Sequence, residues 1–220
     1  MYLHSLFKHL PTTEREYLVS RSELKTYSRN EKVCETDERI KKVCLVASGL
    51  LRVVVDEDVT TDFVREGDLY LHLEATEPKY VLVAALPTSV YFVPADDIWT
   101  ICKEYPPVAF ELLRLTIERV ANLRKHLQQI SSNTSEARIA CAMHELTLLA
   151  PGRNGGYDKR ISQGVIASYT ALSREVVNRA MRDLQVRGLL RKDRHAVHLQ
   201  MDSKAGTPSS PREEIGPPKL

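Results

Sequence analysis

The run Ser173-Arg-Glu-Val-Val-Asn-Arg179, leading into a helix that stops at Gly188, constrains this chain more than any other stretch. Ser173 is a good N-cap, because its hydroxyl can accept from the free amides of a first helical turn. Gly188 is a natural C-terminal stop. Between them Val176, Val177, Ala180, Met181 and Leu184 recur at spacings of three and four, which marks a buried stripe. Arg174, Glu175, Asn178, Arg179 and Arg182 make up the opposite face. An Arg can fork onto guanine, a Glu can accept from the cytosine amino group and an Asn can pair with adenine, so this face has the vocabulary to read base edges. A solvated amphipathic helix also carries charge on its outer side, so the helix alone leaves both readings open.

The flanking residues favour the first reading. Residues 161–170 read as a short helix with Val165, Ile166 and Tyr169 available for packing, and Ala171-Leu172 turns tightly into Ser173. That is helix-turn-helix spacing. After Gly188, residues 189–191 and 196–199 read as two short strands around the polar turn Lys192-Asp-Arg-His195, which suits the hairpin of a winged variant. Lys192, Arg194 and His195 would then lie near a phosphate backbone.

Residues of about 160 to 199 resemble the DNA-binding domain of the CRP/FNR superfamily of bacterial transcription regulators, with the motif Ser-Arg-Glu-x-Val-x-Arg present without a gap. The resemblance implies that Arg174, Glu175 and Arg179 read a half-site similar to TGTGA. Asn178 stands where relatives often carry a small residue, which implies a modified preference. The candidate DNA contacts are therefore Ser173, Arg174, Glu175, Asn178, Arg179, Arg182, Lys192 and Arg194. The resemblance also implies double-stranded DNA, a second copy of the chain and RNA polymerase as partners.

Charge is distributed accordingly. The whole chain is only +2, but residues 1–105 hold 13 Lys and Arg against 18 Asp and Glu, whereas residues 151–200 hold 10 against 4. Such asymmetry suits phosphate binding, in which each neutralised phosphate releases counterions.

In the first half, residues 25–28, 43–47, 50–55, 61–64, 80–85 and 90–93 read as strands by their β-branched and aromatic content, punctuated by Gly49, Gly67, Pro87 and Pro94. Many short strands at this spacing predict a small barrel or jelly roll, preceded by an amphipathic helix over residues 3–24. This is similar to the cyclic-nucleotide-binding-like effector domain of the same superfamily, with the segment Val43 to Val53 and the turn Arg65-Glu-Gly-Asp68 as weaker signatures. A helix of residues 107–130 follows. Leu113, Val120 and Leu127 share one heptad position, while Thr116, Leu123 and Ile130 share the other, with Ala109 one heptad before Thr116; this predicts a coiled-coil dimer seam. Asn133 with Glu136 reads as the capping signal of a further helix through Leu149. The expected class is α+β: an effector barrel over 1–105, a dimerisation helix over 106–131, a winged helix-turn-helix over 132–200 and a disordered Pro-, Ser- and Gly-rich tail over 201–220.

The barrel gives a weaker signal about its effector. Cyclic-nucleotide-binding relatives place a ribose-holding Glu and a phosphate-binding Arg where this chain has Leu71-His72 and Lys79-Tyr80. The carboxylate is missing and a bidentate fork has become a point charge, so cyclic AMP is not expected as the effector. Leu123 and Arg124 correspond to positions that close over the base and do not restore this chemistry. The candidate effector residues are thus His72, Lys79, Tyr80, Leu123 and Arg124. No cofactor is expected. The alternatives are haem held through His72, a small anion at Lys79, or a barrel that serves only as a dimerisation scaffold.

Other classes fit less well. Cys34, Cys44, Cys102 and Cys141 have neither C-x-x-C spacing nor clustered His, and read as reduced, mostly buried thiols with no metal. His144-Glu145 begins like a zinc-protease helix, but Leu148 occupies the position of the second His. A P-loop, a dinucleotide fingerprint and a G-x-S-x-G elbow are absent, so no enzyme is expected. No apolar run of about 18 residues and no secretory leader is evident, which places the expected chain in the cytoplasm, away from membranes. A sensing or interaction module without operator recognition is the remaining alternative.

Overall fold

Burial of a strand on both of its faces explains how the first half folds. The computed structural model describes residues 5–35, 42–56, 58–71, 80–152 and 155–200. Strands β1 (Glu23–Tyr27), β2 (Lys32–Glu35), β3 (Lys42–Ser48), β4 (Leu50–Val55), β5 (Val59–Arg65), β6 (Leu69–Leu71), β7 (Tyr80–Ala84) and β8 (Thr88–Pro94) form two antiparallel sheets, in the orders β1-β8-β3-β6 and β2-β7-β4-β5. Along β3, Cys44 and Val46 point inward to meet Leu51, Val53, Leu82 and Phe92 between the sheets. Val43 and Leu45 point outward and are covered by helices. Both faces of this strand are apolar because both are buried.

The covering helices are α1 (Thr12–Arg21), α2 (Ala95–Glu104) and the start of α3 (Pro106–Ser132). Leu6, Phe7, Leu10 and Leu18 pack with Ile98, Ile101, Val108 and Leu112 against β3 and β8. Instead of one helix over residues 3–24, the chain makes a single tight turn at Ser5–Phe7, then α1, then strand β1. Ser22 adopts an extended backbone, and Glu23–Tyr27 pairs along β8. The strands β2 and β6 and the helix α2 were not read from the sequence.

α3 runs 27 residues, and α4 (Ser135–Leu149) follows it directly. The cap of α4 is Thr134, whose hydroxyl accepts from the Ala137 amide at 3.3 Å, and not Asn133, which closes α3 in an extended conformation. The remaining elements are β9 (Tyr157–Asp158), α5 (Gln163–Thr170), α6 (Arg174–Val186), β10 (Leu190–Lys192) and β11 (Ala196–Leu199). Their apolar core is continuous with the barrel, since Leu50, Phe63, Ala85 and Leu86 pack in one cluster with residues of α4, α5 and α6. Among the described residues no helix is long and apolar enough to cross a membrane. Of the cysteines only Cys44 is fully buried, while Cys34, Cys102 and Cys141 are half-buried. That departs from the expectation of mostly buried thiols.

Candidate nucleic-acid interface

Helix α6 is built by local chemistry at both ends. Ser162 caps α5 by accepting from the Val165 amide, and Ser173 caps α6 by accepting from the Val176 amide, each at 3.3 Å. Between them Ala171 turns the chain in the left-handed region (φ 54°), and the Leu172 amide donates to the Ala167 carbonyl at 3.0 Å. At the far end Gly188 takes φ 73°, which lets its amide reach Gln185 and the Leu189 amide reach Leu184. This is a glycine-terminated helix end, and a residue with a Cβ would be strained there.

Val177, Met181 and Leu184 of α6 are buried against α5 and α4 in the shared core. Full burial of side chains of this size contributes about 1.5–3 kcal/mol each, which fixes the rotation of the helix. Ser173, Arg174, Glu175, Arg179 and Arg182 are consequently exposed along one side. Asn178 differs from the expectation of an outward face. It is half-buried, and its Oδ1 is turned inward without a hydrogen-bond partner.

The wing is organised by a residue that sequence reasoning passed over as part of a polar turn. The Asp193 carboxylate accepts from the amides of His195 and Ala196, both at 2.7 Å, and lies 2.8 Å from His198 Nε2. These amides and His198 hold the carboxyl well below its usual range. The turn leaves Lys192, Arg194 and His195 exposed. β11 also pairs with β9, so the wing is three-stranded. The close approach requires Gly156, where a Cβ would stand 2.2 Å from the Val197 carbonyl oxygen.

On α3, Leu113, Val120, Leu123 and Leu127 are exposed, and so are Phe110 (72%) and Ile117 (59%), which the heptad reading had not included. Thr116 is exposed and donates back to the Leu112 carbonyl at 2.9 Å. Ile130 is half-buried and lines a small crevice with His126, Ala142 and Tyr169.

Three of the five candidate effector residues are described. His72 and Lys79 lie outside the described residues, Tyr80 packs at the edge of the core between the sheets, and Leu123 and Arg124 are exposed on α3. Among the described residues a space of about 770 Å³ lies between β5, β6, α3 and α4, and Tyr80, Leu123 and Arg124 do not line it. On its wall Asp62 pairs with Arg119 at 2.6 Å, and the guanidinium sits 4.9 Å over the Tyr70 ring. Burial pushes the Asp62 carboxyl up, with Arg119 opposing. At its lower end Glu145, also pushed up by burial, accepts from the Tyr169 hydroxyl at 3.0 Å.

Residues 137–203 match the family described as the Crp-like helix-turn-helix domain. FixK2 from Bradyrhizobium japonicum superposes with a TM-score of 0.71 at 22% identity, covering 82% of this chain and 93% of that one. A transcriptional regulator of the CRP/FNR family from Eubacterium rectale gives 0.68 at 20% identity, covering 91% and 94%. A cyclic nucleotide-binding domain containing protein from Listeria monocytogenes gives 0.69 at 21%, covering 86% and 96%. A comparison with curated protein sequences finds no match.

Proposed function

We propose that the chain is a transcription regulator of CRP/FNR type that binds a palindromic TGTGA-like operator as a homodimer without cyclic AMP; the match of residues 137–203 to the Crp-like helix-turn-helix domain and the fold shared with solved regulators support this reading. Helix α6 enters the major groove of each half-site, the two sites lying about 34 Å apart. Arg174, Glu175 and Arg179 read base edges, while Arg182, Lys192 and Arg194 neutralise phosphates. Ser173 sets the start of the helix. Asn178, with its Oδ1 turned inward, contributes to the seating of α6 more than to base contact.

The observation that carries this reading is the set of three functional side chains exposed on one side of a helix whose other side is fixed in the core. The dimer is supported by the apolar stripe of Phe110, Leu113, Ile117, Val120 and Leu127 exposed along α3. RNA polymerase is the further partner in this reading.

A second reading, in which a small ligand gates DNA binding, is favoured by the cavity between the barrel, α3 and α4, because its occupant would touch all three parts. Haem held through His72 and a small anion at Lys79 are further forms of it.

The test is retardation of a TGTGA palindrome and a scrambled duplex by purified protein and by Glu175→Ala, with an absorption spectrum of the same sample. Selective binding lost in Glu175→Ala supports operator reading. Equal binding to both duplexes by the unmodified protein defeats it, and a Soret band turns attention to His72.

A further inference from the structure

The tip of the β4–β5 hairpin touches the reading domain beside the first base-reading residue. Ser168 of α5 receives the Thr60 amide at 2.8 Å and lies 2.8 Å from the Thr60 hydroxyl, and its own hydroxyl donates to the Asp58 carbonyl. Arg52 Nη1 in turn donates to Thr60 Oγ1 at 3.2 Å and to Asp58 Oδ1 at 2.9 Å. One donor direction satisfies the whole chain: Arg52 to Thr60, Thr60 to Ser168, Ser168 to Asp58. Thr60 is buried, so the contact is a formed one and not two surfaces lying near each other.

The Asp58 carboxylate is thereby placed facing α6, with its Oδ2 4.0 Å from Arg174 Nη2. A second observation gives the direction of the Arg174 side chain. A Cβ built on Gly164 would stand 3.0–3.2 Å from the Arg174 guanidinium, so this side chain is folded back over the start of α5, in space that a glycine leaves open. The guanidinium that should fork onto a base is instead laid toward a carboxylate of the barrel.

We infer that Asp58 and the gap at Gly164 form a mask for Arg174, holding it against the barrel so that operator DNA must displace it. This rests on the proposed reading of Arg174 as a base contact. Both partners are largely exposed (74% for Arg174 and 55% for Asp58), so the mask is a weak competitor and tunes affinity instead of abolishing it. A surface pair of this kind corresponds to at most about a five-fold change in an equilibrium constant.

The experiment compares the full-length protein with Asp58→Asn, Gly164→Ala and Arg174→Ala, singly and with each of the first two combined with Arg174→Ala, on the TGTGA palindrome and on scrambled DNA at one salt concentration. Asp58→Asn removes the carboxylate, and Gly164→Ala removes the resting place without changing charge. Each is expected to raise operator affinity by about two- to five-fold, to leave scrambled DNA unchanged and to have no effect once Arg174 is Ala. Unchanged or weaker operator binding by both single variants overturns the mask. So does an equal gain on scrambled DNA, which reports only the loss of a negative charge near phosphates. If neither the unmodified protein nor any variant separates the palindrome from the scramble, operator reading itself falls and the mask with it.

Discussion

His126 of α3 lies face to face with Tyr169 of α5, with ring centroids 3.8 Å apart and planes within 8° of parallel. The same Tyr169 leans on Phe63 of β5 at 4.7 Å and donates its hydroxyl to Glu145 of α4. One aromatic ring thus receives contacts from the barrel, the long helix and the reading domain. Burial lowers the His126 pKa, with a partial offset from the Tyr169 backbone. The unfolded chain, with an imidazole near the usual value of about 6.5, therefore binds the proton first as the pH falls. Stability from this contact is full above that value and is lost on acidification toward the lower folded pKa. Burial has raised Glu145, so it works in the opposite direction and must be subtracted. The comparison is thermal unfolding of the protein and of His126→Phe, which keeps the stack and cannot titrate, between pH 7.5 and 5.5. A steeper fall of Tm in the unmodified protein is expected, and parallel curves would remove His126 from the account.

Arg179 is exposed on α6 one turn beyond Glu175. Its replacement by Ala should cost about 1–3 kcal/mol on the operator and relax the preference at one base position. The measurement is binding to a set of operators substituted one base at a time. Equal loss on every duplex, with a reduced salt slope, would make Arg179 a phosphate contact instead.

The helix-turn-helix was legible because its signals are local: Ser173, Ala171-Leu172 and Gly188 act on the backbone within a few residues of themselves. Strand β4 was legible for a related reason, as Leu50–Val55 is β-branched and bounded by Gly49. The short β2 and β6 carry too few residues to show a period. The α3 seam was half legible. From Leu113, Val120 and Leu127 a second heptad position can be taken three residues later or three residues earlier. Arg124 makes the earlier choice look interrupted, but Phe110 and Ile117 are the large side chains left exposed, while Ile130 turns toward the reading domain. The Asp58, Ser168 and Arg174 contact had no sequence signal, because it joins positions more than 100 residues apart.

Gly49 separates β3 from β4 at φ 93°, and a Cβ there would stand 2.4 Å from the Pro87 carbonyl oxygen. Thr88 closes the same corner, accepting from the Leu50 amide at 3.1 Å. Gly49→Ala meets both a disfavoured backbone region and fixed backbone atoms. It should lower stability by about 1–3 kcal/mol in chemical denaturation, with the slope unchanged. A midpoint equal to that of the unmodified protein would show that the β3–β4 corner can shift.

The stripe on α3 makes the proposed dimer testable apart from DNA reading. Phe110, Leu113, Ile117, Val120 and Leu127 are all large apolar side chains left exposed on α3, and they lie at coiled-coil spacing. Ile117 is 59% exposed, so Ile117→Glu is expected to leave the subunit folded while placing a charge against its symmetry mate in a two-fold seam. Sedimentation should show a shift from dimer to monomer. Palindrome affinity should fall by about ten-fold or more, as two half-sites cease to be bound together, while binding to an isolated half-site stays within about two-fold. A variant that still sediments as a dimer would mean that the copies meet through another surface. A monomer that keeps full palindrome affinity would mean that each subunit reads its half-site alone.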